Sequence, residues 1–372
     1  MFFSLSKSLD KRFQNHKRIN QWWFAYDNGW TINDESCFKG YYYPEINHGN
    51  FLQIKSLGDT IVLEHDVDRS FPLWWCPEQQ VLTNLIGKGK KIWADQGIEL
   101  NDETIVEKHK DVIGLIESTE RSIDSVTDFI VDNLISKSRS LAIRDSAKKL
   151  FVSGGIDTLT LYALLKNQEI PFELIDYEHF EYDWFTNQNI SDIKRDHWAY
   201  RQLNHWKSPT CLISGACGDE FMFRGPATIA IWAAWHDTNL IEMLEKSRGY
   251  HVHYFLLEKN QKIFKAAFEQ RRQIKERFPT KPDLIRHIID MNANDHQHWH
   301  LGNTLTWTPF KDLSLTKLML SLDFDSLIEQ IADAKVSKTI LERLDPTCLR
   351  FLSDDKNFRS RRYLDLLPGY NL

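Results

Sequence analysis

Cysteine is scarce in this chain, and its placement excludes more than its number does. Five cysteines, Cys37, Cys76, Cys211, Cys217 and Cys348, are spread over 372 residues. The count is odd and no Cys-x-x-Cys pair occurs. A disulfide framework and a cysteine zinc site are therefore not expected. With no secretory leader recognised, reduced thiols in a cytoplasmic setting are the expectation. No apolar run approaches the ~20 residues that a membrane-spanning helix needs, so no membrane partner is expected. Positive charge is not in excess either: 46 Lys and Arg stand against 52 Asp and Glu, a formal net charge of −6. That balance disfavours a general grip on nucleic acid. The chain has no internal repeats and no long low-complexity linker. It also lacks a Gly-Lys-Ser/Thr phosphate loop, which excludes the kinase-like nucleotide hydrolases.

What the chain does have is ordinary for a globular protein: 42% hydrophobic and 26% charged residues. Aromatics reach 13%, with 13 Trp, enough for large buried cores. The length admits two domains or one large one.

The most informative stretch is Lys148 to Thr158. Leu150, Phe151 and Val152 read as a short buried strand. Ser153, Gly154 and Gly155 form a tight turn. From Thr158 the apolar Leu161, Leu164 and Leu165 recur at helical spacing. Strand, glycine turn and helix N-terminus together make an anion site, because backbone N–H groups can approach a phosphate there. Asp157 adds a carboxylate at that mouth, which phosphate alone would repel. A bridging Mg²⁺ would remove the conflict. The bland alternative is that Asp157 caps the helix.

Upstream, residues 1 to about 100 are rich in short β-branched or aromatic runs: Trp22 to Tyr26, Cys37 to Tyr43, Phe51 to Ile54 and Thr60 to Asp66. Asp27-Asn28-Gly29, Asn47 to Asn50 and Leu57-Gly58-Asp59 read as the turns between them. Antiparallel sheet is expected. His65 to Trp75 then closes a strand, turns and starts another. From Asp102 to about Ser140 the pattern turns helical, with Ile123, Val126, Ile130 and Leu134 on one face. A domain boundary is placed near residues 98–110. Downstream, Pro171 to Asp176 reads as a strand and Asp192 to Trp206 as a helix. Thr210 to Ile213 reads as a strand, followed by a glycine-containing turn and the acidic pair Asp219 and Glu220. Alternating strands and helices predict a parallel sheet, with Asp157 and Asp219 at its carboxyl edge, where such sheets bind ligands.

Four segments then carry a family resemblance, and three more fit it loosely. Ser153-Gly154-Gly155-Ile156-Asp157-Thr158 is similar to the Ser-Gly-Gly-x-Asp-Ser pyrophosphate loop of ATP pyrophosphatases. Ser214 to Pro226 resembles the second signature of the asparagine synthetase family, Ser-Gly-Glu-Gly-Ala-Asp-Glu-Leu-Phe-Gly-Gly-Tyr-Pro, through Ser214, Gly215, Asp219, Glu220 and Pro226. Trp307 to Asp312 resembles the Arg-x-Pro-Phe-Leu-Asp segment, and Ser337 to Arg343 the Ser-Lys-x-x-Leu-Arg helix. Asp355 to Phe358 loosely fits the segment that carries the family's catalytic lysine. His65 to Trp75 is loosely similar to a segment of the family's glutaminase domain, as is Phe38 to Tyr42.

The resemblance implies an α/β protein. Residues 1–105 would form a mostly antiparallel β domain, a degenerate N-terminal-nucleophile glutaminase fold. Residues 106–372 would form a parallel-sheet ATP pyrophosphatase (PP-loop) domain with a helical C-terminal part. It implies ATP and Mg²⁺ as cofactors, with Ser153, Gly154, Gly155, Ile156, Asp157, Thr158, Ser214 and Gly215 around the nucleotide. Asp157 and Asp219 would hold the metal, and Lys356, Asp219 and Glu220 would serve the chemistry. The implied reaction adenylates a carboxylate, releases pyrophosphate and passes the acyl group to ammonia or an amine. Small-molecule or peptide carboxylates, an amine or ammonia donor, and a separate amidotransferase are the partners it suggests.

The departures shape that expectation. Position 2 is Phe2 and no cysteine precedes Cys37, so the terminal thiolate of that glutaminase is missing. Ala216 replaces a Glu linked to the attacking amine. Cys217 and Gly218 replace Gly and Ala, and Phe223 and Arg224 replace two glycines. Two other readings stand beside the ligase: a decayed scaffold that binds a partner, and a related enzyme acting on a nucleic-acid base. Glu220 could be a helix-dipole partner, Lys356 part of a solvated basic tail, and Asp312 a loop tie. His296, His298 and His300, with Asp295, could face one side of a strand as metal ligands, although a polar loop stacked on Trp299 is the plainer reading.

Overall fold

A computed structural model describes residues 3–11, 13–26, 30–43, 48–65, 73–83, 90–92, 96–100, 105–109, 121–143, 146–151, 155–175, 210–215, 217–295 and 304–352. The protein is mixed α/β, with an antiparallel β region first and a parallel sheet with helices after it.

The β region contains two six-stranded antiparallel sheets. Its strands are β1 (Phe3–Ser6), β2 (Asn15–Ile19), β3 (Trp22–Tyr26), β4 (Thr31–Ile32), β5 (Ser36–Tyr43), β6 (His48–Leu57), β7 (Thr60–His65), β8 (Leu73–Cys76), β9 (Val81–Thr83), β10 (Lys90–Ile92), β11 (Gln96–Leu100) and β12 (Ile105–His109). One sheet runs β10-β8-β9-β1-β3-β2 and the other β12-β11-β7-β6-β5-β4. Strand β7 shows why these residues choose strand: Ile61, Leu63 and His65 are buried while the residues between them are half-buried. Between β6 and β7, Leu57 pairs with Thr60. The turn closes because Gly58 accepts a φ of +59°.

Two sequence expectations need correction here. His48, Gly49 and Asn50 belong to β6, not to a turn, because they pair with Tyr43, Tyr42 and Tyr41 of β5. Ladder pairing outweighs their local turn preference. Likewise residues 105–109 are strand rather than helix. They pair with β11 from Gln96–His109 to Leu100–Ile105. The helical spacing begins only at Ile123, where α1 (Ile123–Ile143) starts. Its face is as expected: Val126, Ile130 and Leu134 are fully buried and Ile123 packs against them half-buried.

Next come β13 (Ala147–Phe151), α2 (Ile156–Asn167), β14 (Glu173–Ile175) and β15 (Thr210–Ile213). The helix begins two residues before the expected Thr158. The second half holds α3 (Gly218–Phe221), α4 (Pro226–Trp235), α5 (Leu240–Lys246), α6 (Val252–Phe255), α7 (Glu258–Glu269), α8 (Arg271–Arg277) and α9 (Lys281–Asp295). After β16 (Thr304–Trp307) come α10 (Leu313–Leu320), α11 (Phe324–Asp333) and α12 (Lys335–Leu344). The four strands form one parallel sheet in the order β14-β13-β15-β16. Leu150 lies opposite Ile213, and Ile213 opposite Trp307. Strands β13, β15 and β16 therefore end level with one another, and the segments leaving them emerge at one edge.

Two apolar clusters form the cores. One gathers side chains of the antiparallel strands, among them Phe3, Phe24, Leu52, Leu63 and Leu82. The other gathers the parallel sheet and helices, with Leu134, Leu150, Leu161, Phe221, Trp307 and Leu341 among its members. Helix α12 packs on both α1 and α2, and Arg343 ties it to Asp124 of α1 at 2.9 Å. Among the described residues no helix is long and apolar enough to cross a membrane. The expected helix at 192–206, the 66–72 segment and the His296–His300 run lie outside the described residues.

Candidate functional site

The carboxyl edge of the parallel sheet brings two distant segments together. After β13 the chain enters α2 through Gly155. Its carbonyl accepts the Thr158 hydroxyl at 2.9 Å and the Leu159 N–H at 3.1 Å. Gly155 is the N-cap, and the first turn presents Asp157. Asp157 does not cap its own helix; its carboxylate points to the second segment.

That segment leaves β15 at Ser214, whose N–H donates to the Trp307 carbonyl at 3.0 Å. Gly215 then passes so close to α2 that a Cβ would lie 2.9 Å from the Thr158 nitrogen. Cys217 takes a left-handed conformation, with φ +68°, and the chain turns into α3. At Gly218 a Cβ would sit 2.2 Å from Asp157 Cγ. The backbone of one segment thus lies against the carboxylate of the other, and only glycine leaves room for it.

After α3, Phe223 is also left-handed, with φ +57°. This reverses the chain, and the Arg224 N–H closes on the Asp219 carbonyl at 2.5 Å. The Arg224 side chain, 1% exposed, then lies between two carboxylates. Its Nη2 donates to Asp157 Oδ1, and its Nη1 lies 2.8 Å from Asp219 Oδ1. Asp157 is almost enclosed at 13% exposed, whereas Asp219 is open at 54%.

Burial sets the electrostatics. It pushes the Asp157 carboxyl up to about 7, against the pull of Arg224 and with help from Asp219. It pushes Glu220 up to about 8, with Asp219 adding repulsion. Burial opposes the charge on Arg224, but Asp157 and Asp219 hold that charge more firmly than in a free arginine. Nearby His251 is held well below its ordinary value by burial and by the charges of Arg224 and Lys338, so it is neutral. Its buried Nδ1 has no hydrogen-bond partner among the described residues.

The α3 turn is clamped from behind. The Glu220 carbonyl accepts from Asn292 Nδ2 at 3.0 Å, and the Phe221 carbonyl from Thr316 Oγ1 at 3.3 Å. The Met222 carbonyl accepts from Gln330 Nε2 at 2.9 Å. The Glu220 carbonyl also accepts from the Phe223 N–H at 3.2 Å; the last carbonyls of a short helix are otherwise short of partners. All three donors are buried. A second tie holds the segment that follows β16. Lys137 of α1, buried, donates to the Pro309 carbonyl at 2.9 Å and to Asp312. Asp312 also caps α10 by accepting from the Ser314 N–H at 2.8 Å. Burial pushes the Asp312 carboxyl up, but the Lys137 charge and the hydrogen bonds from Lys137 and Ser314 outweigh it and hold the group below its ordinary value.

The structure therefore brings together Gly155, Ile156, Asp157, Thr158, Ser214, Gly215, Asp219 and Glu220. Ser153, Gly154, Ala216 and Lys356 lie outside the described residues. Asp312 is a loop tie and helix cap. Sequence reading marks Arg224 only as a replaced glycine and passes over Asn292, Thr316 and Gln330 altogether. The available signal is a lone arginine within Phe221-Met222-Phe223-Arg224-Gly225, shortly after an acidic pair. Thr316 and Gln330 are likewise polar residues on otherwise apolar helix faces.

The arrangement also bears on magnesium. A divalent cation needs carboxylate oxygens free to coordinate it, and here one guanidinium engages both Asp157 and Asp219. Among the described residues no group of three or more His, Cys, Asp or Glu gathers in a metal-holding arrangement. As arranged, the pair does not fit a metal. What it offers is a buried guanidinium fixed between two carboxylates beside the N-terminus of α2. No family model matches the chain, and no curated protein matches it.

Proposed function

We propose that the protein is an ATP-dependent, AMP-forming ligase of the asparagine synthetase-like kind, built on a PP-loop ATP pyrophosphatase domain. It would act on a small-molecule or peptide carboxylate and join it to ammonia or an amine. The observation that carries the reading is the convergence at the sheet edge. The Asp157 turn and the Ser214–Arg224 turn, from adjacent parallel strands, interlock at Gly218 and Gly215. A second observation supports it. Cys217 and Phe223 both hold left-handed backbone, and both stand where the resembled signature has glycine. A non-glycine residue adopts that conformation only when its surroundings impose it. Left-handed backbone at two positions where the signature has glycine supports the resemblance.

In this reading the turn after β13 holds the phosphates of ATP, and the carboxylate substrate attacks the α-phosphorus. The bond to pyrophosphate breaks as the acyl–phosphate bond forms. The amine then attacks the acyl carbon and AMP leaves. Arg224 offsets the negative charge of Asp157 and Asp219, which would otherwise repel the phosphates and the leaving group. Glu220, protonated near neutral pH, lies beside it. Lys356 and a separate amidotransferase remain parts of the proposal that rest on the resemblance alone. The β region is proposed as a structural remnant of the glutaminase domain.

One observation favours a second reading, a scaffold that has given up catalysis: the carboxylates expected to hold magnesium are occupied by Arg224. Product analysis separates the two. Incubation of ATP with mixed carboxylates and amines should release AMP and pyrophosphate in equal amounts, and Arg224→Gln should lower that rate by about 100-fold. Release of ADP and phosphate would contradict the ligase. ATP binding without turnover under any substrate mixture would favour the scaffold.

A further inference from the structure

We propose that Arg224 is the resident cation of the Asp157–Asp219 pair: its guanidinium occupies the position between the two carboxylates, and the pair takes no divalent metal while it is there. The inference rests on the geometry at this edge and not on ATP use.

Four features combine. First, the contact is divided, with Nη2 on Asp157 and Nη1 on Asp219. One planar group thus does what a bridging cation would do, with a charge that proton loss cannot remove. Second, the side chain is 1% exposed. A buried guanidinium persists only with its compensating charges, and among the described residues these two carboxylates are its ion-pair partners. Third, the backbone is shaped to deliver it. The left-handed turn at Phe223 and the Arg224 N–H bond to the Asp219 carbonyl fold the chain back over Asp219. Fourth, Gly218 leaves space for Asp157 in the orientation that meets Arg224; a Cβ there would overlap its carboxyl carbon at 2.2 Å. A metal entering the pair would have to expel a buried cation from both of its partners.

Mn²⁺ alone is the probe, with bound and free ion distinguished by electron paramagnetic resonance. Wild-type protein should show no saturable Mn²⁺ site that depends on Asp157. Arg224→Gln should gain one, and Arg224→Gln with Asp157→Asn should lose it again. Arg224→Lys, which keeps the charge, should not gain it. A saturable site in wild type that Asp157→Asn removes would overturn the proposal. So would a folded Arg224→Gln protein that still binds no Mn²⁺. Should Arg224→Gln fail to fold, Arg224→Met takes its place: the same Asp157-dependent Mn²⁺ site is expected, and its absence from the folded variant would overturn the proposal. Because the probe is the metal alone, an absence of ATP binding would count against the ligase reading and leave this one to the Mn²⁺ result.

Discussion

At the scale of single residues, the positions where the chain departs from the signature it resembles fit one another. Arg224 needs Asp157 turned towards it, and Asp157 can turn only because residue 218 has no Cβ. Gly218→Ala should therefore push the carboxylate off the guanidinium and overpack the turn. We expect a loss of about 1–3 kcal/mol, read from urea unfolding, with the fold kept by circular dichroism. A fully native stability would mean that Asp157 has another place to go. The acids in this cluster were legible in the sequence, because Asp157 and Asp219 each come after a strand and a glycine-containing turn. Their joint engagement with Arg224 was not. It depends on a chain reversal at Phe223 that no local propensity favours, since a bulky residue at positive φ is set by its surroundings.

At the scale of elements, buried polar ties hold the short α3 in place. A helix of four residues has almost no stability of its own, so the run of carbonyls at its end, Glu220 to Met222, leans on Asn292, Thr316 and Gln330. Gln330→Leu keeps the volume but strips the Met222 carbonyl of its donor and the Val336 N–H of its acceptor. Leaving such groups unpaired should cost about 1–3 kcal/mol, measured by thermal or urea unfolding, and ATP affinity should fall with it as the turn loosens. The Lys137–Asp312 tie is larger. Lys137→Met leaves a buried carboxylate without its cation, and about 3–5 kcal/mol should be lost.

The same tie gives a pH dependence. Asp312 is held below its ordinary value, so it binds fewer protons folded than unfolded in acid. Its contribution is complete above the unfolded value of about 3.9 and is lost as pH falls through that value to the folded one. Unfolding monitored from about pH 5 down to about pH 2 should show this slope below about pH 4, and Asp312→Asn should flatten it. An unchanged slope would mean that other carboxylates govern acid stability. Asp312 was legible as a loop tie, but its partner Lys137 and the ties to α3 could not be read from hydrophobic pattern. Thr316 and Gln330 interrupt apolar faces by one residue each, which in sequence resembles ordinary surface drift. Their partners lie 95 and 108 positions away.

At the scale of the whole molecule, architecture was more legible than detail. Short alternating runs such as Thr60 to His65 announced antiparallel sheet, and the alternation of strand and helix after residue 147 announced a parallel one. The exceptions are long-range pairings. Strand β12 is specified by its partner β11 more than by its own residues, and β6 extends through a turn-prone triplet because β5 lies beside it. The edge of the parallel sheet is where the two segments proposed to bear chemistry meet, and the central claim is that this edge binds ATP. Calorimetric titration of the intact protein with ATP tests it without knowledge of the other substrates. The expected result is saturable binding that persists when a chelator removes divalent metal, is displaced by pyrophosphate and weakens in Arg224→Gln. No heat of binding from folded wild-type protein, with or without magnesium, would contradict it.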